Sequence, residues 1–173
     1  NLHEAVRRAR AVIEAGGVGR KTGAPPIVEE FDPSLPPVLG NAGALVQVLI
    51  NLIANAADAC AGVANPRIVI RTRFASGLQL HQGAEGTPVR LPIELRVSDN
   101  GPGIDPAMRD HVFEPFVTTK KSGQGLGLAL VRRLVRDMNG RIGHDRDEGG
   151  WTHFRLHLAL ADERRKPVRE DKA

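Results

Sequence analysis

"NLIANAADA", Asn51 to Ala59, poses the question on which the fold turns. It lies inside "GALVQVLINLIANAADAC", a run that otherwise reads as a buried helix over about residues 43–61. Asparagine is a poor helix former because its amide competes for nearby backbone groups. At roughly 100° per residue, Gln47, Asn51, Asn55 and Asp58 fall within an arc of about 80°, while Leu45, Val48, Leu49, Ile50, Leu52 and Ile53 cover most of the rest. A helix so apolar is buried except for one narrow stripe. That stripe either faces water or lines a polar site whose oxygens suit a hard cation such as Mg²⁺. The helix alone does not decide between them.

Outward from this helix, strands and helices alternate irregularly. "LHEAVRRARAVIEAGG" opens the chain with a helix whose apolar face is Leu2, Ala5, Val6, Ala9, Val12 and Ile13, stopped by Gly16 and Gly17. A short strand is expected at 27–31, another over "RIVIRTRF" (67–74), and a loop or ragged hairpin over 75–92. "IELRVSDNGPG" alternates cleanly: Ile93, Leu95 and Val97 on a dry face, Glu94, Arg96 and Ser98 on a wet one. Asp99 keeps the parity of the apolar row, so this strand delivers a carboxylate to the dry side. A buried charge needs a partner; either a ligand supplies one, or Asp99 caps the "DNGPG" turn. In "WTHFRLHLAL", Thr152, Phe154, Leu156, Leu158 and Leu160 share one face, with His153 and His157 on the wet one. Between these strands a short helix is expected over Pro106 to Val112. A longer one begins near Gly125, with Leu130, Val131, Leu134, Val135 and Met138 as its buried stripe.

The chain has 173 residues, 41% hydrophobic and 25% charged, enough for one domain with a substantial core. No run is expected to approach the roughly 18 apolar residues of a membrane helix, and there is no signal-peptide pattern. The single cysteine, Cys60, reads as packing and fits a reducing cytoplasm. The net charge is +4, but aromatic residues are only 3%, which leaves few stacking platforms for nucleic acid. "DERRKPVREDKA", residues 162–173, is expected to be a charged tail beyond a domain spanning 1–161.

"GQGLGL", Gly123 to Leu128, places glycines before a helix, where unhindered backbone N–H groups cradle phosphate. It is neither the dinucleotide fingerprint nor a Walker A loop. Taken in order, "QVLINLIANAADA", "DNGPGI", "FEPF", "GQGLGLAL" and "GGWTHF" resemble the N, G1, F, G2 and G3 boxes of the catalytic ATP-binding domain of bacterial sensor histidine kinases. These kinases share a superfamily with gyrase, Hsp90 and MutL. "NLHEAVRRAR", the "RTR" strand with a long insert after it, and the "DNGPGI" spacing are most similar to the nitrogen-regulation, NtrB-type kinases.

The resemblance implies an α/β fold: a two-layer sandwich (the Bergerat ATP-binding fold), with a mixed sheet, helices on one face and an ATP lid. It implies ATP and Mg²⁺ as cofactors. Asn55 matches the metal-coordinating asparagine and Asn51 the position one turn earlier, where hydrolysing members of the superfamily carry a glutamate that activates water. An amide there has no useful basicity, so Mg·ATP would be held without efficient hydrolysis. Asp99 matches the aspartate that accepts the adenine amino group, and Thr152 the threonine that supports that contact. Gly101 and Gly103 would let the backbone approach the nucleotide, and Gly123, Gly125 and Gly127 would cradle phosphates. Lys120 and Lys121 are candidates for the γ-phosphate, with Asn51 and Lys120 nearest the chemistry. Asp58, Ile104, Phe113, Thr119, Gln124, Leu126 and Leu128 complete the expected ATP site. Asp58, Gln124 and Trp151 depart from the usual residues of their boxes, which leaves the phosphate contacts the least determined.

His3-Glu4 is not the phosphoacceptor motif, because no Asn-Pro or Thr-Pro follows. The chain is therefore expected to be a catalytic domain that cannot autophosphorylate alone. Its expected partners are a dimerising phosphoacceptor hairpin, a response regulator and a PII-type signal protein, with neither nucleic acid nor membrane, in the cytoplasm. The rival readings are a non-catalytic nucleotide- or partner-binding regulatory module, and a superfamily ATPase or anti-sigma-type serine kinase.

Overall fold

A computed structural model describes residues 1–16, 24–75, 81–82, 88–117 and 127–161. Helix α1 spans Leu2–Gly16 and buries Leu2, Ala5, Val6, Ala9 and Ile13. Val12, expected on that face, is 51% exposed; on the wheel it lies about 80° from the stripe's centre, beyond the reach of the core. Helix α2, Ala42–Ala59, starts where the Asn41 side chain accepts the Ala44 N–H at 3.1 Å, a cap that satisfies one of the orphan donors of the first turn. Contrary to the sequence expectation, its 18 residues, with mean hydropathy 1.4, are long and apolar enough to cross a membrane. Here the helix is held between α1, the sheet and a third helix, with Leu45, Val48, Leu49, Leu52, Ile53 and Ala56 buried.

The described residues include seven strands, the longer ones in β-branched and alternating segments: β1 (Ile27–Glu30), β2 (Ile68–Phe74), β3 (His81–Gln82), β4 (Pro88–Val89), β5 (Ile93–Asp99), β6 (Arg141–Arg146) and β7 (Thr152–Leu158). Five form a mixed sheet in the order β1-β2-β5-β7-β6, with β1 and β2 parallel and the other pairs antiparallel. The expected ragged hairpin is present as the pair β3–β4. Ile68, Ile70, Leu95, Val97, Leu156 and Leu158 meet α1 and α2 in one continuous core. Truncating a fully buried member such as Leu95 to alanine costs about 2–5 kcal/mol.

Helix α3 is described over Gly127–Asp137 and ends where Asn139 turns left-handed and the Gly140 N–H bonds the Val135 carbonyl at 2.9 Å. Its stripe is narrower than expected. Val131, Val135 and Met138 are buried, but Leu130 is 38% exposed and faces a concavity beside α2. The expected helix over 106–112 is only one 3-10 turn, Pro106–Met108. Beyond it the chain continues in i→i+3 turns, His111 to Met108 and Glu114 to His111, which do not propagate an α-helix.

The sheet's second face also departs from expectation. Glu94, Ser98 and His153, placed on the wet side, are only 4–6% exposed. No helix among the described residues covers them. Long side chains from neighbouring strands do: Arg73 reaches Glu94 at 3.2 Å, Arg155 at 3.6 Å and His157 at 3.6 Å. A central strand has such neighbours on both sides, and its alternation does not reveal them.

Candidate functional site

The polar stripe of α2 opens onto a cavity of about 590 Å³ whose other walls are the turn after β5, the start of α3 and β7. Asn55, Asp58, Gly103, Ile104, Leu128 and Phe154 line it. Concavities of about 700 and 840 Å³ lie between α2 and α3 and at the β6–β7 turn. Size does not choose among them. The chemistry beside the first does, although Asp99 and Thr152, which carry it, are not among that cavity's lining residues.

On the dry face, two register steps beyond the Val97–Phe154 pair, Asp99 stands directly opposite Thr152. They are 3% and 4% exposed. Asp99 Oδ1 accepts the Gly101 N–H at 3.0 Å, so the turn-capping and ligand-facing readings of Asp99 are compatible. Burial pushes its carboxyl pKa up, and the Gly101 N–H, Arg146 and His153 pull part of the way back. Thr152 Oγ1 is buried and makes no hydrogen bond. An orphan hydroxyl beside a desolvated carboxylate is costly for folding alone. A ligand that presents an N–H to Asp99 and a polar group to Thr152 would repay it.

The two asparagines of the stripe do different things. Asn51 donates its amide to the Gly127 carbonyl at 3.2 Å and accepts from Gln47 Nε2 at 3.1 Å. It therefore ties α2 to the first turn of α3. Asn55, one turn on, lines the cavity. Among the described residues no three His, Cys, Asp or Glu side chains converge to hold a metal. A neutral amide oxygen such as that of Asn55 fits a hard cation whose remaining ligands are phosphate and water oxygens, as Mg²⁺ prefers.

The glycines of the turn have requirements of their own. A Cβ on Gly101 would collide with the backbone carbonyl of Ala59, where α2 ends. Gly103 has φ +86°, and the Arg146 guanidinium occupies the place its Cβ would take. Arg146 donates to the Pro102 carbonyl, strapping this turn to the end of β6 opposite Thr152. Sequence reasoning missed Arg146, since nothing in "HDRDEGG" separates it from a solvated arginine. Phe113 packs edge-on against Phe154 at 6.2 Å, supporting the wall rather than lining the cavity. Trp151 stands at the β6–β7 turn, its backbone N–H bonded to Asp147 at 2.9 Å. Gly127 and Leu128 open α3; Thr119, Lys120, Lys121, Gly123, Gln124, Gly125 and Leu126 lie outside the described residues.

Residues 40–162 match the family model "Histidine kinase-, DNA gyrase B-, and HSP90-like ATPase". The sensory histidine kinase/phosphatase NtrB of Rhizobium meliloti is 41% identical over 156 residues, covering 90% of this chain and 40% of that protein. The NtrB of Rhodobacter capsulatus is 42% identical over 162 residues, covering 93% and 43%. The chain thus spans well under half the length of these relatives. Among solved structures, the catalytic domain of histidine kinase ThkA superposes with TM-score 0.68 at 27% identity, covering 92% of each chain. Full-length ShkA in complex with AMPPNP superposes with TM-score 0.67 at 26% identity, over 93% of this chain and 31% of that one.

Proposed function

Because the chain belongs to the family of histidine kinase-, DNA gyrase B- and HSP90-like ATPases, we propose that it holds Mg·ATP in the α2–β5–β7 cleft and donates the γ-phosphate to a histidine on a separate helical hairpin. Nucleotide binding comes with the family; the residue roles and the acceptor are our reading. The observation that carries it is the Asp99–Thr152 pair, two desolvated polar side chains with one hydroxyl left unmet.

Asp99 accepts the adenine amino group and, with its carboxylate buried, rejects guanine, whose carbonyl would leave it unpaired. Thr152 supports the same edge of the base. Gly103, Ile104 and Phe154 wall the cavity, with Phe113 behind them. Asn55 holds the Mg²⁺, which when bound neutralises phosphate charge and orients the triphosphate. Asn51 keeps the start of α3 against α2 and offers no base to activate water, which suits transfer to a protein rather than hydrolysis. Lys120, Lys121 and the glycines Gly123, Gly125 and Gly127 take the phosphates. Catalysis is then positioning and charge neutralisation. The relatives named sensory histidine kinase/phosphatase NtrB support a place in a nitrogen-regulation relay; the cytoplasm, a response regulator downstream and a PII-type protein as regulator are our reading.

The test is calorimetric titration with ATP in Mg²⁺ and then in EDTA, followed by transfer to a separately supplied histidine hairpin. Binding strengthened by Mg²⁺, and lost as a Mg²⁺ response in Asn55→Ala, is expected. A Mg²⁺ response that persists in Asn55→Ala moves the metal elsewhere. Binding without transfer leaves a nucleotide-binding regulatory module.

A further inference from the structure

The face of the sheet away from the helices carries an arrangement that folding alone does not account for. Glu30, Arg71, Arg96 and Arg155 stand in one row across β1, β2, β5 and β7, each directly opposite the next. Three arginines in adjacent positions are therefore neighbours on one face. Directly opposite side chains have Cβ atoms about 4.5–5.5 Å apart, and like charges at that spacing destabilise a sheet.

The outer two are compensated within the chain. Arg71 pairs with Glu30. Arg155 meets Asp145 at 2.6 Å and Glu94 at 3.6 Å. Arg96, between them, makes no hydrogen bond or ion pair with a described residue, and its Nε is buried without a partner. Burial, then Arg155 and Arg71, push its pKa below that of an ordinary arginine, and Glu94 pulls part of the way back. The row lies on four hydrogen-bonded strands, with Arg96 on β5 between β2 and β7.

We propose that this open face is a docking surface for an acidic segment of a protein partner, one of whose carboxylates seats on Arg96 between Arg71 and Arg155. A guanidinium fork matches a carboxylate in two parallel hydrogen bonds, and the match requires a fixed geometry. The surrounding acids select the kind of anion. Glu94 and Asp145 attract Arg96 on this face, and Glu30 stands beyond Arg71 at the end of the row. A nucleic acid, with one charge per about 1.7 Å of duplex, cannot avoid them. A single side-chain carboxylate can. The surface is on the opposite side of the sheet from Asp99 and Thr152, so docking there leaves the nucleotide cleft open.

The experiment uses the isotope-labelled chain and follows the arginine Nε–Hε signal of Arg96 by NMR. The probes are a peptide whose glutamates are spaced by neutral residues, inorganic phosphate and a short DNA duplex. The peptide is expected to shift the Arg96 signal, to bind more weakly as salt rises, and to bind roughly tenfold or more weakly to Arg96→Gln. Arg132→Gln, an arginine on α3, should bind the peptide like the parent. Because the row is strained without its partner, Arg96→Gln should melt at or above the parent's temperature and keep its ATP affinity. An unmoved Arg96 signal overturns the proposal. So does tighter binding of DNA or free phosphate than of the peptide. An Arg96→Gln variant that melts lower yet binds peptide unchanged makes Arg96 a structural residue and overturns it as well.

Discussion

Two neighbouring pairs on the same two strands, Asp99–Thr152 and Ser98–His153, make opposite use of burial. All four side chains are only 3–6% exposed. Ser98 Oγ lies 2.6 Å from His153 Nδ1, and His153 Nε2 lies 2.9 Å from Asp147, so that pair closes on itself and on the β6–β7 turn. Asp99 has one backbone donor, and Thr152 Oγ1 has none. One pair is a finished piece of structure. The other, a residue away and on the opposite face, is unfinished until something binds. Unmet hydrogen-bonding capacity in a dry wall, rather than polarity or burial, marks the site.

Substitution separates the pairs. The largest effect is expected for Asp99→Asn, which should weaken ATP binding at least about a hundredfold by calorimetry; unchanged affinity would remove the adenine assignment. The same variant should melt higher without nucleotide. The sign follows from the raised carboxyl pKa: the folded state holds that proton more tightly than the unfolded chain does. The carboxylate therefore costs stability as pH rises through the window between the two values. The advantage of Asp99→Asn should grow as pH rises through that window and shrink in acid.

Ser98→Ala should do the reverse. It leaves His153 Nδ1 buried and unpaired, and chemical denaturation should show a loss of about 1–3 kcal/mol, with ATP affinity within about twofold. A comparable loss of ATP affinity would mean that the two faces are not independent. The smallest effect is expected for Thr152→Val. ATP should bind roughly three- to tenfold more weakly, since one neutral hydrogen bond is lost, while the melting temperature without nucleotide should stay level or rise. A clear fall in stability would show that Thr152 Oγ1 has a structural partner.

Much of this was legible beforehand. The polar stripe of α2, the parity that sends Asp99 to the dry side, the strand segments and the order of the boxes all depend on local period and spacing. Helix ends were less legible where a turn type competed with a helix, as after Met108, and where an apolar residue such as Val12 or Leu130 sat at a stripe's margin. The closed network around Glu94, Ser98 and His153 was invisible, because alternation assigns a face but does not say what crosses over it.

The division has a physical cause. Side-chain periodicity is a property of one segment, so the sequence alone determined which face of each element turns to the core, though not the margins at Val12 and Leu130. Pairing is a property of two segments far apart in the chain. Only the tertiary structure decided that β5 lies between β2 and β7, that Asp99 meets Thr152, that Arg146 straps the turn at Gly103, and that three arginines share a row in which the middle one has its Nε buried without a partner. Each is a contact between residues whose separation in sequence carries no periodic signal, and it exists because the core closes in one register and not in the next.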